Sequence, residues 1–369
     1  MKKIITTLTL YVVFASAIII AQPKIVEDNG YSITYVLNGG INSSNNKSSY
    51  LPGKEQPLAE PNRDGFLFGG WFEDFDFSGE RITHITEKSN GPKKFFAKWI
   101  NQTLINIDSD MVEIIPSGKK VVLENFASSK GMSEIKGYKI SKYEVTQELY
   151  EAVMGINPSW FNNSSNETKI PNGEIQTRRP VECVTWYDAI YFCNTLTKLT
   201  LGESECCYKI SNIDRRNDRT DSKISYIYSC DVEFDLSKKG YRLPTESEWE
   251  FAARGGTTEK WDKVYSGSKK IKDVAWFREN SGGITHEVGK KKPNSLGLFD
   301  MTGNVSELYT PKNVPRYKDI QALFIGGSCL DYPNRCEITY RTATGYMMGP
   351  EYGPNFLDGD LGFRLAQTN

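Results

Sequence analysis

Histidine is almost absent from this chain of 369 residues, which contains only His84 and His286. Much acid–base catalysis and many metal sites use imidazole, because it titrates near neutral pH and its ring nitrogens bind metals. A Ser–His–Asp triad would have to use His286, and no Gly-x-Ser-x-Gly sequence accompanies it. We therefore interpret both histidines as structural.

An excess of charge of either sign is also missing. The chain has 45 basic and 46 acidic residues, a net charge of −1. Binding to nucleic acid depends on neutralising phosphates with a basic surface. The balance therefore gives no reason to expect a nucleic-acid partner.

The longest apolar stretch is short and stands at the N-terminus. Met1-Lys-Lys3 precedes a run from about Leu8 to Ala21, the arrangement of a secretory signal peptide over residues 1–21. The run is short for a membrane-spanning helix, with an uncleaved anchor as the alternative. No cysteine for lipid attachment lies near its end. We predict an exported protein, secreted or associated with the cell surface and not integral to the membrane.

Cysteine occurs only in the C-terminal two-thirds, at seven positions, so the monomer has at least one unpaired thiol. No Cys-x-x-Cys pair or Cys/His spacing of a zinc site is present. Cys193 lies in an apolar helical pattern, where a buried thiol and a disulfide are equally compatible with the sequence. A domain this large does not need a disulfide scaffold.

Residues 31–100 have the pattern of a small β-rich unit. Tyr31–Leu37 alternates polar and apolar residues before Asn-Gly-Gly, Phe66–Phe72 is an aromatic strand, and Lys94–Ile100 contains Ala-Lys-Trp. In this order the motifs resemble the Listeria–Bacteroides repeat of internalin-type surface proteins. The resemblance implies a β-grasp-like module on an exported bacterial protein. Trp71 and Trp99 are predicted to lie in its core, with carbohydrate stacking as the minor alternative.

Residues 101–110 are predicted to form a linker to a second unit, residues 111–367. This unit contains five ordered motifs: Glu144-Val-Thr-Gln147, Pro180–Ala189, Arg242-Leu-Pro-Thr-Glu246, Gly297–Glu307 and Gly362-Phe-Arg364. Together they resemble the formylglycine-generating enzyme, or sulfatase-modifying factor, family. The resemblance implies an α+β domain with a C-type-lectin-like fold and many glycine-bearing loops.

Two acidic residues in the Arg-Leu-Pro-Thr-Glu run suggest paired carboxylates for acid–base chemistry. Glu246 and Glu250 are four residues apart on a predicted helix. Acidic residues in a first helical turn also suit the helix dipole, and Trp249 and Ala252 are predicted to face the core. We interpret the run as framework, as the resemblance also implies.

The loop Gly303-Asn-Val-Ser-Glu307 is a candidate calcium site. In the resembled family this loop binds calcium, which implies the Asn304 side chain, the Val305 carbonyl and the Glu307 carboxylate as ligands. Calcium prefers several oxygen ligands of this kind. Ser306 stands where the family has tryptophan, and Leu308 where it has an aromatic residue, so the packing beside these ligands has changed.

The active members of the family bind copper(I) through cysteines at the third and eighth positions after a Gly-Gly-Ser turn. Counted from Ser328, the eighth position is Cys336 but the third is Asp331. Copper(I) is soft and prefers thiolates, for which a carboxylate is a poor substitute. Cys329 is two residues too early, roughly 6.6 Å along an extended strand. Copper is therefore not expected, although Cys336 with Cys329 would be the catalytic pair if the chain were active. A Cys329–Cys336 disulfide, a free thiol and separate core cysteines are the favoured alternatives.

The C-terminal segment is rich in tyrosine and short polar residues, which make adaptable recognition surfaces. Its candidate ligand-binding residues are Asp331, Tyr332, Asn334, Tyr340, Tyr346, Tyr352, Asn355 and Asp358. Its glycines and prolines predict a loop on a rigid scaffold. The segment also resembles the variable region of retroelement-diversified proteins.

The preferred interpretation is an exported, non-catalytic protein that binds an extracellular protein or glycan. The first alternative is a copper-dependent formylglycine-generating oxidase that acts on a sulfatase cysteine. The second alternative is a surface adhesin that binds through its N-terminal repeat.

Overall fold

The structure is a computed structural model. It describes residues 30–75, 77, 80–102, 107–115, 121–122, 132–133, 135–163, 169–217, 225–256, 264–310, 324–340 and 356–369. The predicted signal peptide at residues 1–21 lies outside these ranges, as do residues 103–106 of the predicted linker and the candidate residues Tyr346, Tyr352 and Asn355.

The chain divides into two compact units. Of the described residues, the first unit contains those up to Arg63 together with Gly70–Lys98, and the second contains Asp64–Gly69 and those from Trp99 to Asn369. None of the helices within the described ranges is long and apolar enough to cross a membrane.

The N-terminal strands form a four-stranded sheet in the order β2-β1-β6-β4, beside a small β3-β5 pair. β1 runs parallel to β6, with Ile33 opposite Lys93, and antiparallel to β2. The bounds of these strands are β1 (Tyr31–Val36), β2 (Ser49–Tyr50), β3 (Gln56–Pro57), β4 (Phe66–Phe72), β5 (His84–Ile85) and β6 (Lys93–Asn101). The three strands predicted from the aromatic and alternating patterns are therefore present.

The two tryptophans predicted for the core of this unit differ in burial. Trp71 is buried, and its indole Nε1 donates to the Ala59 carbonyl over 3.0 Å. Trp99 is only partly buried and packs edge-on against Phe68 with ring centroids 5.6 Å apart. The core prediction is therefore confirmed for Trp71 and wrong for Trp99.

The second unit contains several small sheets. They are a four-stranded sheet in the order β13-β17-β10-β7, a β11-β12 ribbon, a three-stranded sheet in the order β15-β14-β16, and a β8-β9 pair. The strand bounds are β7 (Met111–Ile114), β8 (Val121–Val122), β9 (Met132–Ser133), β10 (Tyr138–Ser141), β11 (Tyr208–Arg216), β12 (Tyr226–Phe234), β13 (Tyr241–Arg242), β14 (Ser306–Leu308), β15 (Phe324–Ile325), β16 (Leu361–Phe363) and β17 (Ala366–Thr368).

Its helices are α1 (Gln147–Met154), α2 (Trp186–Thr200), α3 (Glu246–Ala253) and the single turn α4 (Ile271–Val274). Thr146, Thr185 and Thr245 cap the first three, since each hydroxyl accepts from a backbone N–H in the first turn.

The framework interpretation of the α3 segment is confirmed. Trp249 and Ala252 are fully buried. The Glu250 carboxylate is also fully buried and accepts from the guanidinium of Arg254, with Oε1 2.6 Å from Nη2. Glu250 is therefore an internal ion-pair partner rather than half of an acid–base pair with Glu246.

Candidate ligand-binding site

The three-stranded sheet β15-β14-β16 holds the loops of the candidate site. β14 runs parallel to β16, with Ser306 opposite Leu361, and antiparallel to β15. Gly326 and Gly327 follow β15 with φ of 96° and 69°, a region that side chains other than glycine rarely adopt. A Cβ on Gly327 would lie 2.8 Å from the Cys336 Sγ, so a glycine is needed there for close approach. This turn brings the Ser328 loop against Cys336.

A cavity of about 180 Å³ lies between these loops. Three of the predicted ligand-binding residues line it: Asp331, Tyr340 and Asp358. The other lining residues are Ser306, Phe324, Ile325, Gly326, Gly327, Arg335, Phe356, Asp360 and Leu361. The described part of the C-terminal segment therefore forms a concave site, which we call the acidic cavity.

A single hydroxyl joins two of the carboxylates at this cavity. The Ser328 Oγ lies 2.5 Å from Asp360 Oδ2 and 3.0 Å from Asp331 Oδ2, and it accepts from the Leu330 N–H. A serine hydroxyl has one proton and can donate to only one carboxylate at a time. Burial, with the nearby charges of Asp358 and Asp331, raises the pKa of Asp360 to about 6. Asp360 thus ionises later than an ordinary aspartic acid as the pH rises.

Two other predicted ligand residues lie outside the cavity lining. Tyr332 is 54% exposed, and the guanidinium carbon of Arg278 lies 4.8 Å from its ring centroid. Asn334 is exposed on the short 3₁₀ turn Pro333–Cys336. These two residues therefore form part of an outer surface beside the cavity.

The cysteines of the copper hypothesis are both buried, and all seven cysteines of the chain are free thiols in the structure. Burial raises the pKa of the Cys336 thiol to about 12, with a further contribution from Asp331, and burial also raises the pKa of Cys329 strongly. Both groups therefore hold their protons at neutral pH. Asp331, at the position of the first copper cysteine, accepts hydrogen bonds from the backbone N–H and the hydroxyl of Ser328. A hard carboxylate in place of one of the two thiolates does not fit copper(I).

The residues of the calcium prediction bind other groups of the chain. Glu307 is 1% exposed and accepts from Arg364 at 2.6 Å on each carboxylate oxygen, and its Oε2 also accepts from the Trp249 Nε1 at 2.7 Å. The Asn304 Oδ1 accepts from the His286 N–H. As arranged, these ligands do not fit a calcium ion, because the only carboxylate of the set already faces an internal cation. Across the described ranges no three His, Cys, Asp or Glu side chains are grouped to hold a metal.

The remaining histidine contacts are structural. The His286 ring lies between the Glu174 carboxylate and the Ser281 carbonyl, each at 2.8 Å, and stacks on Trp276 with centroids 3.7 Å apart. His84 makes an exposed ion pair with Glu55.

Sequence reasoning missed Asp360, Arg335 and Phe356 as members of the site. The sequence contained one usable signal for Asp360, because Asp358-Gly-Asp360 stands directly before the Leu-Gly-Phe-Arg strand. Ser306 was recognised only as a substitution for tryptophan, and the structure places it in the lining of the acidic cavity.

The comparisons with known proteins identify both units. Residues 107–369 match the "Sulfatase-modifying factor enzyme 1-like domain" family, and residues 31–98 match the "Listeria-Bacteroides repeat domain". The first match covers well over half of the chain. The protein therefore belongs to the sulfatase-modifying factor family and contains a Listeria–Bacteroides repeat.

Three relatives illustrate the range of this family. "Chaperone protein LppX" of Paenibacillus barcinonensis is 32% identical over 70% of this chain and 90% of its own length. The solved structure of "Treponema denticola variable protein 1" is 34% identical, with a TM-score of 0.55 over 70% of this chain and 95% of that one. The "Formylglycine-generating enzyme" of Mycobacterium tuberculosis is 39% identical over 21% of this chain and 30% of its own length. The likeness to that enzyme thus spans less than a third of it.

Proposed function

We propose that the chain is an exported, non-catalytic ligand-binding protein that uses a C-type-lectin-like scaffold of the sulfatase-modifying factor family. The observation that carries the proposal is the acidic cavity beside the Gly-Gly-Ser turn. Asp331, Tyr340 and Asp358 meet there, and Asp331 occupies the position where the resembled enzymes have a copper cysteine.

The chemistry of the donor groups supports a non-catalytic role. A copper(I) oxidase needs thiolates that are close together and can lose their protons. Here the first of the two positions is a carboxylate, Asp331, which leaves Cys336 as the single thiol of the pair. The oxidase alternative is therefore not favoured.

The space inside the cavity supports ligand binding. Ser306 lines the cavity at the position where the family has tryptophan. A serine leaves most of an indole's volume empty, so its presence next to Gly326 and Leu361 helps to explain the space.

The similar proteins also support a non-catalytic binding function. Two relatives that match most of their own length are named a chaperone and a variable protein, and neither name describes an oxidase. A role in binding a protein or glycan partner agrees with both names. The Listeria–Bacteroides repeat, which the resemblance places on exported surface proteins, supports export.

Copper titration of the full chain with a cysteine-containing peptide and an oxygen electrode tests the non-catalytic assignment. The natural protein should bind no stoichiometric copper(I) and consume no oxygen above the peptide-only control. Asp331→Cys supplies the missing thiol and should gain copper binding, which shows that the assay detects the site. Peptide oxidation by the natural protein would overturn the proposal.

The binding assignment is tested on glycan and protein arrays with the full chain. Tyr332→Ala and Tyr340→Ala should each weaken capture of the bound glycan or protein. Because Tyr332 is exposed, its variant should keep the melting temperature of the natural protein. Glu279→Gln, an exposed position outside the cavity lining, is the control. Equal capture by all variants would place binding elsewhere in the chain.

A further inference from the structure

We infer that the acidic cavity binds the ammonium or guanidinium group of a lysine or arginine side chain on a protein ligand. This inference rests on the proposed binding function and names the chemistry that the site recognises. It follows from the charge, the aromatic lining and the size of the cavity taken together.

The charge of the lining is negative. Three carboxylates, Asp331, Asp358 and Asp360, face the cavity with one guanidinium, Arg335. Arg335 lies 3.4 Å from the Asp331 Oδ1 and is 55% exposed, so it offsets only part of that charge. Asp358 and Asp360 form no ion pair with a basic side chain of the described ranges. Asp358 is exposed, but Asp360 is largely buried. A buried carboxylate without a counter-charge is unfavourable, and a cationic ligand would remove that cost.

Aromatic rings complete the lining. Phe324 and Phe356 stack with centroids 6.2 Å apart at an interplanar angle of 28°, and Tyr340 joins them in the cavity wall. Ammonium and guanidinium groups are attracted to aromatic faces, and more strongly where water is excluded. The carboxylates and the rings therefore favour the same chemical class of ligand.

The size of the cavity selects a side chain rather than a whole small molecule. Sites for drug-sized ligands have volumes of roughly 300–1,000 Å³, whereas one water needs only about 10–15 Å³ of comparable space. At about 180 Å³ the cavity accommodates the end of a long side chain. Such a pocket would anchor one residue of a larger partner, while Tyr332 and Asn334 contact its surroundings.

A neutral sugar would satisfy the rings but not the charge. Its hydroxyl groups could donate to Asp358 and Asp360, yet the Asp360 carboxylate would stay buried beneath it without a counter-charge. A basic side chain of a protein is therefore favoured over a glycan.

The test uses the full chain with butylammonium and methylguanidinium as probes of the two side chains, and butanol and methyl glycosides as neutral probes. Ligand-observed NMR should detect the two cations and not the neutral compounds. Asp358→Asn and Asp360→Asn should each weaken cation binding about tenfold or more, and Glu279→Gln should change it less than twofold. Binding should also weaken as the salt concentration rises.

The pH provides a second measurement. Asp360 faces Asp331, Asp358 and Cys329, with Arg335 in the same cavity wall. Cation binding should weaken as the pH falls through about 6, because the Asp360 carboxylate then takes up a proton. Asp360→Asn should flatten this dependence. If Asp360→Asn does not fold, the exposed Asp358→Asn variant still tests whether negative charge at the cavity is needed for cation binding.

Cation binding that survives both asparagine variants, or preferential binding of the glycosides, would overturn this inference and leave the binding function in place. Peptide oxidation by the natural protein would instead overturn the binding function, whatever the result with the cations.

Discussion

Two acidic regions lie on opposite sides of the same short strand, β14. Ser306 lines the acidic cavity, while Glu307, the next residue, meets Arg364 and Trp249 in the interior. Successive side chains of a strand point to opposite faces, so the strand separates the two regions by one residue. On the Glu307 side the fully buried Arg364 guanidinium binds Glu307 directly and also faces the buried carboxyl groups of Glu144 and Asp300, which accept from backbone N–H groups. On the Ser306 side three carboxylates share one half-exposed arginine.

The difference distinguishes framework from recognition. A buried charge with its own partner and full hydrogen bonding holds strands together: Arg364 also donates to the carbonyls of Ser141, Lys142 and Phe299. On the cavity side Asp331 and Asp360 accept from Ser328, but the negative charge of the three carboxylates exceeds the positive charge of Arg335. A cation in the cavity would offset this excess, as we infer above.

The largest expected effect comes from breaking the framework side. Arg364→Met leaves the buried Glu307 carboxylate without a counter-charge and removes the bonds to three carbonyls. Removing one partner of a buried pair costs about 3–5 kcal/mol. Chemical denaturation should show that the free energy of unfolding of the second unit is lower by this amount.

Arg335→Met is the matched control on the cavity side. The same side-chain change there removes a 3.4 Å contact of a half-exposed arginine, and exposed pairs contribute about 0–1 kcal/mol. Similar losses for the two variants would contradict the division into framework and recognition.

The second effect is a pH dependence on the cavity side. The pKa of Asp360 is about 6 in the folded chain, above the value of about 3.9 for an unperturbed aspartic acid. The folded state therefore binds more protons between pH 4 and 6, and this group's contribution to the free energy of unfolding falls as the pH rises through that window. A shift of about two units corresponds to about 3 kcal/mol.

Asp360→Asn should therefore be more stable, relative to the natural protein, at pH 7.5 than at pH 4 by about 2–3 kcal/mol. The comparison with the natural protein is needed because burial also raises the pKa of Asp300 to about 6. Urea titrations at the two pH values measure the difference. If the variant and the natural protein differ in free energy of unfolding by the same amount at pH 4 and pH 7.5, Asp360 titrates normally.

A smaller effect is expected at the thiol that remains from the copper pair. Cys336→Ser places a hydroxyl in a fully buried position whose Sγ lies 3.9 Å from the Ser328 carbonyl. We expect a loss of about 1–2 kcal/mol and unchanged cation binding, as for other buried polar substitutions. Cys206→Ser, at a partly exposed thiol, should cost less. Abolished binding with an intact fold would give Cys336 a direct role at the site.

Much of the local structure could be predicted from the sequence, because it depends on neighbours along the chain. The strands β1, β4 and β6 and the buried positions of Trp249 and Ala252 on α3 all follow from short patterns. Membership of the family could be predicted for the same reason, since its motifs are contiguous.

The partners of side chains at the site could not be predicted in this way. Glu307 belongs to a loop typical of calcium binding, but Arg364, 57 residues later, takes its carboxylate. Tyr332 and Tyr340 belong to the same tyrosine-rich segment, yet Tyr332 is exposed on the outer surface and Tyr340 lines the cavity. These outcomes depend on strand register and on competition between distant side chains, which a motif does not contain.

The smallest expected effect concerns calcium on the framework side. A calcium ion bound through Glu307 would have to displace Arg364, whose guanidinium makes two 2.6 Å bonds to the carboxylate. Binding at a concentration one hundred times the Kd would stabilise the fold by about 2.7 kcal/mol, a rise of several degrees in the Tm of a unit of this size. We expect less than one degree between protein with excess calcium and protein with chelator. A rise of several degrees that Glu307→Gln abolishes would mean that calcium, and not Arg364 alone, holds this loop, and the two sides of β14 would then both be cation sites.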